Sequence, residues 1–175
     1  MNGLVIVYTG NGKGKTTAAL GMALRAIGYN YKVCMLQFIK GSWHYGEMDS
    51  SRKLEPNFEL IAIGKGFVGI LDDKSPKEEH EKYAEEALKI CQEKIFSEKY
   101  DIVILDEINY AINLKLIDVN DIIKLIKEKP EKVNLVLTGN HAKNEIIELA
   151  DLVTEMTEIK HPFKSGIKAR KGIDF

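Results

Sequence analysis

The sequence predicts an α/β protein in which a mainly parallel, six-stranded sheet is flanked by helices. Apolar runs of strand length alternate with segments of helical periodicity along the chain. The run Lys32–Phe38 is almost wholly apolar, which is typical of a strand buried on both faces of a sheet. The chain has 175 residues without a repeat, a low-complexity segment or a linker, so we expect one domain over residues 1–175.

Three strands and two helices are predicted in the first hundred residues. The strands are Gly3–Thr9, Lys32–Phe38 and Phe58–Ile63. A helix over Lys15–Ile27 ends at Gly28, and its small alanines at positions 19, 23 and 26 permit close approach to the sheet. Its large apolar residues share one face, namely Leu20, Leu24 and Ile27. A second, long helix begins at Pro76 and has apolar residues at helical spacing, namely Ala84, Leu88, Cys91 and Ile95.

The remaining residues are predicted to complete the sheet. The strands here are Asp101–Leu105, Val133–Thr138 and Leu152–Met156. Two helical stretches flank Asp118, which is a suitable N-cap, and Pro130 ends the second of them. The inner face of that helix carries Val119, Ile122 and Ile126. A short helix is expected over Glu145–Ala150, and the tail from Lys160 to Phe175 has no clear periodicity.

The composition of the chain indicates which kinds of binding partner and which cellular compartment to expect. The net charge is −1, so no overall basic field indicates a nucleic-acid partner. The apolar runs are too short to span a membrane, and no signal segment precedes the first strand, so we expect a cytoplasmic protein. We expect Cys34 and Cys91 to be buried apolar residues rather than a disulfide. The four histidines are far apart without a partner at helical spacing, so no histidine metal cluster is predicted.

The stretch Tyr8–Thr17, which reads Y-T-G-N-G-K-G-K-T-T, has the strand–loop–helix context of a phosphate-binding P-loop. Its glycines lack Cβ atoms, so the backbone can curl and aim its N–H groups at phosphate, aided by the helix N-terminus. Lys15 supplies a cation for phosphate oxygens, and Thr16 supplies a hydroxyl for Mg²⁺. One departure is Thr9, where the usual pattern has glycine. The predicted phosphate-binding residues are Gly10, Asn11, Gly12, Lys13, Gly14, Lys15, Thr16 and Thr17.

A metal partner for the P-loop is predicted at the end of another strand. Asp106 and Glu107 follow the apolar run 102–105, as do the strand-end acids that hold Mg²⁺ in P-loop proteins. The alternative is that both acids cap the following helix. Ligands of open α/β sheets bind beyond the carboxyl ends of the strands, so polar residues there are candidate ligand contacts. The alternative is that these polar residues only stabilise local turns. The polar strand-end residues expected on the P-loop side are Gln37, Lys40, Thr138 and Asn140.

Nearly the whole chain resembles the P-loop type ATP:corrinoid adenosyltransferases, also called cob(I)alamin adenosyltransferases. The resemblance implies a P-loop NTPase fold of the RecA-like kind. The segments that carry it are T-G-N-G-K-G-K-T-T-A-A-L-G, R-A-I-G, Q-F-I-K-G-S-W-H-Y-G-E, I-L-D-E-I, L-T-G-N-H-A, A-D-L-V-T-E-M and K-H-P-F-K-S-G-I-K-A-R-K-G-I-D-F. The segments Q-F-I-K-G-x-W and A-D-L-V-T-E-M are distinctive, because generic P-loop kinases do not carry them together.

This resemblance implies transfer of the 5′-deoxyadenosyl group from ATP to the Co(I) of a reduced corrinoid, with triphosphate as leaving group. Lys15 and Thr16 would then be the catalytic residues, and Arg25 would approach the adenosine unless it is simply an exposed helix residue. The loops Gly41–Glu47 and Gly64–Leu71 would contact the corrin ring through Trp43, Tyr45 and Phe67. The alternative for these aromatic residues is packing on the edge of the core.

The same resemblance implies Mg²⁺ as cofactor, ATP as co-substrate, a reduced flavoprotein as electron donor and a homodimer. Two features depart from the family pattern. The N-terminal extension of several members is missing, and the loop Gly66–Gly69 lacks a tryptophan. Two other functions stay open at this point: a P-loop ATPase or phosphotransferase, and a non-catalytic carrier of corrinoid or nucleotide.

Overall fold

A computed structural model describes residues 2–39, 44–63 and 77–175, without the side chains of residues 77–82. Six parallel strands form one sheet in the order β3-β2-β4-β5-β1-β6. Their bounds are β1 Val5–Thr9, β2 Val33–Gln37, β3 Phe58–Ala62, β4 Ile102–Asp106, β5 Asn134–Thr138 and β6 Leu152–Glu155. The predicted α/β fold with six strands is confirmed, and every pairing is parallel.

Six α-helices are present in the described part of the chain. They are α1 Lys15–Ile27, α2 Gly46–Lys53, α3 Lys77–Phe96, α4 Ile108–Asn113, α5 Val119–Glu128 and α6 Asn144–Leu149. The sequence prediction missed α2, because among its residues only Ser51 is buried and no apolar stripe marks it. The aperiodic tail contains a 3₁₀ helix over Pro162–Ser165. Asp118 caps α5 as predicted, since its side chain accepts a hydrogen bond from the N–H of Asn120.

The sheet is covered on both faces, which explains its apolar strands. Val7, Leu36 and Leu105 point into a core shared with α3, α4 and α5, while Met35 and Ile104 alternate onto the face covered by α1. On α1 the buried residues at positions 19, 23 and 26 are the small alanines. Leu20 and Ile27, which share a face of α1 with Leu24, pack partly buried against this core, whereas Leu24 is 61% exposed.

The two cysteines are free thiols inside the core, as predicted. Burial raises the pKa of the Cys34 thiol to about 12, so this side chain stays neutral. No helix in the described residues combines the length and apolar character that crossing a membrane requires.

Strand order determines which polar ends meet near the P-loop. Strand β5 lies between β1, which leads into the P-loop, and β4, which ends at Asp106. Thr138, the last residue of β5, therefore lies between the loop and the acid. Gln37 is the register partner of Asp106 on the other side of β4. The carboxyl ends of four adjacent strands thus converge on one site.

Candidate nucleotide-binding site

The P-loop connects β1 to α1 through two glycines in the left-handed region, Gly10 with φ 94° and Gly14 with φ 111°. Gly14 is the N-cap of α1, and a glycine has no side chain that could bond to the first N–H groups of that helix. These N–H groups, together with the positive end of the helix dipole, favour an anion at this position. The strand–loop–helix context predicted from the sequence is confirmed.

The close approach of the segment after β6 leaves no room for a side chain at two glycines of the loop. A Cβ at Gly10 would lie 2.4 Å from the Met156 carbonyl oxygen, and one at Gly12 would lie 2.7 Å from the same atom. The Gly12 N–H donates to that oxygen over 2.6 Å. The Asn11 side chain accepts from the N–H of Glu158 over 3.1 Å. Gly12 and Asn11 therefore join the loop to the chain after β6, and their binding of phosphate stays a prediction.

The side chain of Lys15 folds back over the loop. Its Nζ donates to the carbonyl oxygens of Gly10 (2.9 Å) and Gly12 (2.7 Å), and the residue is only 8% exposed. Burial lowers the pKa of Lys15, while the carboxylates of Glu107 and Asp106 raise it. The structure thus places a cation on the floor of the loop, held by carbonyls that a phosphate can replace.

Asp106 is fully buried at the end of β4 and is the centre of a hydrogen-bond network. Its Oδ1 accepts from the hydroxyls of Thr16 (2.9 Å) and Thr138 (2.7 Å). Its Oδ2 accepts from Gln37 Nε2 over 3.2 Å. The P-loop threonine and the strand-end acid, predicted to share a metal, are therefore in direct contact.

Glu107 adopts the left-handed conformation (φ 63°) and lines the cavity beside the P-loop. Its N–H donates to Thr138 Oγ1 over 2.9 Å. Glu107 occupies the N-cap position of α4, but its side chain makes no capping hydrogen bond. The alternative that these acids serve as side-chain caps of the helix is therefore not supported for Glu107.

These oxygen donors fit Mg²⁺ that arrives with a polyphosphate. Mg²⁺ in nucleotide sites is held by one or two carboxylates, water and substrate phosphates rather than by a protein cage. Thr16 and Asp106 supply such oxygens next to the P-loop, and Glu107 lines the same cavity. Within the described residues, no group of three or more His, Cys, Asp or Glu side chains could hold a metal alone.

A cavity of about 540 Å³ opens beside the P-loop, large enough for a nucleotide. Residues 13–17 form one side of it, and Glu47 and Ser50 of α2 contribute to another. The C-terminal turn Gly172–Phe175 also lines it. Sequence reasoning assigned neither wall to the nucleotide cavity, because α2 lacks an apolar stripe and the tail lacks periodicity, although Glu47 ends a loop expected to contact the corrin ring.

The C-terminal turn places a carboxylate against the P-loop. Lys13 Nζ donates to Asp174 Oδ1, and the Arg170 N–H donates to Asp174 Oδ2 over 2.8 Å. The Lys13 ammonium first, and then the Arg170 N–H, hold the pKa of the Asp174 carboxyl below its usual value. An anion therefore already neutralises a P-loop lysine that a phosphate would contact.

Replacing Asp174 with asparagine is expected to raise the affinity for inorganic triphosphate roughly two- to fivefold, because an exposed competing charge is removed. Isothermal titration calorimetry measures this effect. Asp121→Asn, on the exposed side of α5, is the matched control and should leave the affinity unchanged. A lower affinity in the Asp174 variant would show that this carboxylate assists binding instead of competing with the ligand.

The remaining predicted site residues fall into two groups. Lys40, Trp43 and Phe67 are outside the described residues. Arg25 is exposed and lines a separate cleft with Tyr29 and Tyr31, so the structure does not bring it into the P-loop cavity.

Other polar residues near the strand ends serve neighbouring loops. Thr9, the departure from the usual motif, accepts the Ala142 N–H over 3.1 Å and so holds the segment after β5. Asn140 is half-buried and does not line the cavity. The His44 ring is hydrogen-bonded through Nε2 to Asp49 Oδ2, and His161 Nδ1 accepts from the N–H of Phe163.

Comparison with known proteins gives the family. The model of the family described as "ATP:corrinoid adenosyltransferase BtuR/CobO/CobP" matches residues 1–175. The chain belongs to the ATP:corrinoid adenosyltransferase family. A corrinoid adenosyltransferase of Sinorhizobium sp. is 43% identical, over 99% of this chain and 80% of that protein.

Two further relatives extend this agreement. The corrinoid adenosyltransferase of Escherichia coli K12 is 35% identical, and the corrinoid adenosyltransferase CobA of Salmonella typhimurium is 34% identical. Each comparison covers 99% of this chain and 86% of the relative. The resemblance inferred from the sequence segments is confirmed, and the family is one of transferase enzymes.

Proposed function

We propose that this protein transfers the 5′-deoxyadenosyl group of ATP to the Co(I) of a reduced corrinoid and releases triphosphate. The observation that supports this most directly is a P-loop cavity, with Lys15 and the Thr16–Asp106 pair in place, in a chain matched by the adenosyltransferase family over its whole length. In this reaction the phosphates bound by the P-loop are the leaving group.

The reaction is a displacement at the 5′ carbon of the nucleotide. The electron pair of Co(I) forms the cobalt–carbon bond, and the C5′–O bond breaks with its electron pair passing to the triphosphate oxygen. Lys13, Lys15 and the N–H groups at the start of α1 would stabilise that growing charge. Bound Mg²⁺ would neutralise further charge on the triphosphate. No proton needs to be removed from the nucleophile, so the site requires no general base.

The substrate-binding roles belong to this proposal. Gly10, Gly14 and Thr17 would shape or contact the triphosphate, and Trp43 and Phe67 would contact the corrin ring. Arg25 would approach adenosine only in a state or assembly that brings its cleft to the nucleotide, since its cleft is separate from the P-loop cavity. A cytoplasmic location and a reduced flavoprotein donor complete the family-based expectation.

A homodimer is also part of the proposal. Exposed large apolar side chains recur along β6 and the tail after it, including Leu152, Val153, Ile159 and Phe163. A surface of this kind is typical of an interaction site. Light scattering at micromolar protein concentration should give a molecular mass of twice the 19.7 kDa chain mass. A monomer mass at all concentrations would contradict the proposed homodimer.

Formation of a cobalt–carbon bond tests the proposed function. Under strict anaerobiosis, the protein is mixed with Mg-ATP and chemically reduced cobalamin, and the corrinoid spectrum is followed. We expect a product whose spectrum reverts on exposure to light. If no light-sensitive product forms while both substrates bind, the carrier function is favoured instead.

A further inference from the structure

A chain of buried hydrogen bonds connects the metal-site acid to the wall of the cavity. Tyr45 OH donates to Gln37 Oε1 over 2.5 Å, and Gln37 Nε2 donates to Asp106 Oδ2. Gln37 and Asp106 are fully buried, and Tyr45 is 4% exposed. Bonds of this kind, shielded from water, are stronger and more directional than exposed ones.

The Gln37 amide links the bond from Tyr45 to the bond with Asp106. A glutamine side chain has an acceptor end and a donor end, and it can turn to present either one. In the structure Oε1 accepts from the Tyr45 hydroxyl while the NH₂ group faces the Asp106 carboxylate, so each end of the amide meets a suitable partner. The reversed amide would place its oxygen against the carboxylate, which is repulsive.

The two oxygens of Asp106 are thereby distinguished. Oδ1 accepts from Thr16 and Thr138, while Oδ2 accepts from Gln37 on the opposite side. The carboxylate is therefore held from the P-loop, from β5 and from β2 together. Burial first, and then the carboxylates of Glu47 and Asp106, raise the pKa of Tyr45, so its hydroxyl remains a donor at neutral pH.

Tyr45 is also the N-cap residue of α2, whose residues Glu47 and Ser50 line the nucleotide cavity. A displacement of this wall would therefore move the hydroxyl that orients Gln37. We propose that Tyr45 and Gln37 are positioning residues, which orient the Asp106 carboxylate for Mg²⁺ and link the α2 wall of the cavity to the metal site. This inference rests on the proposed use of Mg-ATP.

The test measures metal binding directly, with Mn²⁺ as a paramagnetic stand-in for Mg²⁺ and inorganic triphosphate as the anion. Tyr45→Phe removes the hydroxyl and keeps the ring. We expect it to weaken Mn²⁺ binding in the presence of saturating triphosphate by about tenfold, the lower end of the effect of outer-shell partners. Triphosphate affinity measured without metal should be unchanged. Tyr83→Phe, on the exposed part of α3, is the matched control and should change neither value.

A double-mutant cycle with Gln37→Met separates this chain from general damage, because both groups should act through one carboxylate. The double variant should bind Mn²⁺ no more weakly than Gln37→Met alone. Additive losses, an unchanged Mn²⁺ affinity in Tyr45→Phe, or an equal loss of metal-free triphosphate binding would each overturn the inference. The assay contains no corrinoid, so a failure of adenosyl transfer leaves its outcome readable.

Discussion

Replacing Lys15 with alanine is expected to lower the rate of adenosyl transfer by roughly 10²–10³-fold, the effect of removing one donor from a site of developing charge. Lys15 is the buried cation of the P-loop, and its ammonium bonds to two loop carbonyls that a phosphate can replace. Single-turnover mixing with Co(I) corrinoid measures the loss directly.

Two controls accompany the Lys15 variant. Lys127→Ala removes an exposed lysine of α5 and should retain full activity. Thermal melting of the Lys15 variant should show a folded protein, so that the loss is assigned to the site. Near-normal turnover in a folded Lys15→Ala variant would exclude the role of this residue in stabilising the leaving group.

Replacing Gly12 with alanine is expected to destabilise the protein by about 1–3 kcal/mol, the range for forcing an extra methyl group into a packed site. The new Cβ would lie 2.7 Å from the Met156 carbonyl oxygen and 2.8 Å from the Thr157 carbonyl carbon. Both atoms belong to the backbone, so the loop itself must shift. Triphosphate binding should fall with it, because the P-loop geometry is lost.

Gly21 provides the matched control within the next helix. An added Cβ there would meet nothing within 4 Å, and the residue lies inside α1. Gly21→Ala should therefore stabilise the protein by about 0.5–1 kcal/mol, since alanine suits a helix better than glycine. Chemical denaturation of both variants measures the difference. If Gly12→Ala were as stable as the native protein, the segment around Met156 would have shifted at no cost, which contradicts the prediction.

Local sequence patterns were sufficient to predict the sheet and the chemistry at its edge. The P-loop is contiguous in the chain, and Asp106 follows an apolar strand, so both could be recognised without knowing the topology. Their contact through Thr16 follows from the strand order. The glycines of the P-loop predict its backbone conformation, and its lysine and threonine predict its binding of phosphate and metal.

Sequence reasoning missed contacts between distant parts of the chain. Tyr45 was predicted to offer a surface to the corrin ring, but it is buried. It reaches Asp106 through Gln37, which requires β2 to pair with β4. Asp174 lies 161 residues from Lys13, in a tail without periodicity. Arg25 lies near the end of α1 and lines a separate cleft, and its approach to adenosine stays a prediction. Motif spacing does not reveal such long-range placement.

The proposed function requires that the P-loop of this protein holds a leaving group instead of delivering a phosphoryl group. Phosphorus NMR of the products, after anaerobic incubation with Mg-ATP and a Co(I) corrinoid, tests it most directly. We expect inorganic triphosphate, formed in a one-to-one ratio with the light-sensitive corrinoid product. ADP and phosphate formed in step with the corrinoid product, or in its absence, would contradict the claim and indicate an ATPase or phosphotransferase.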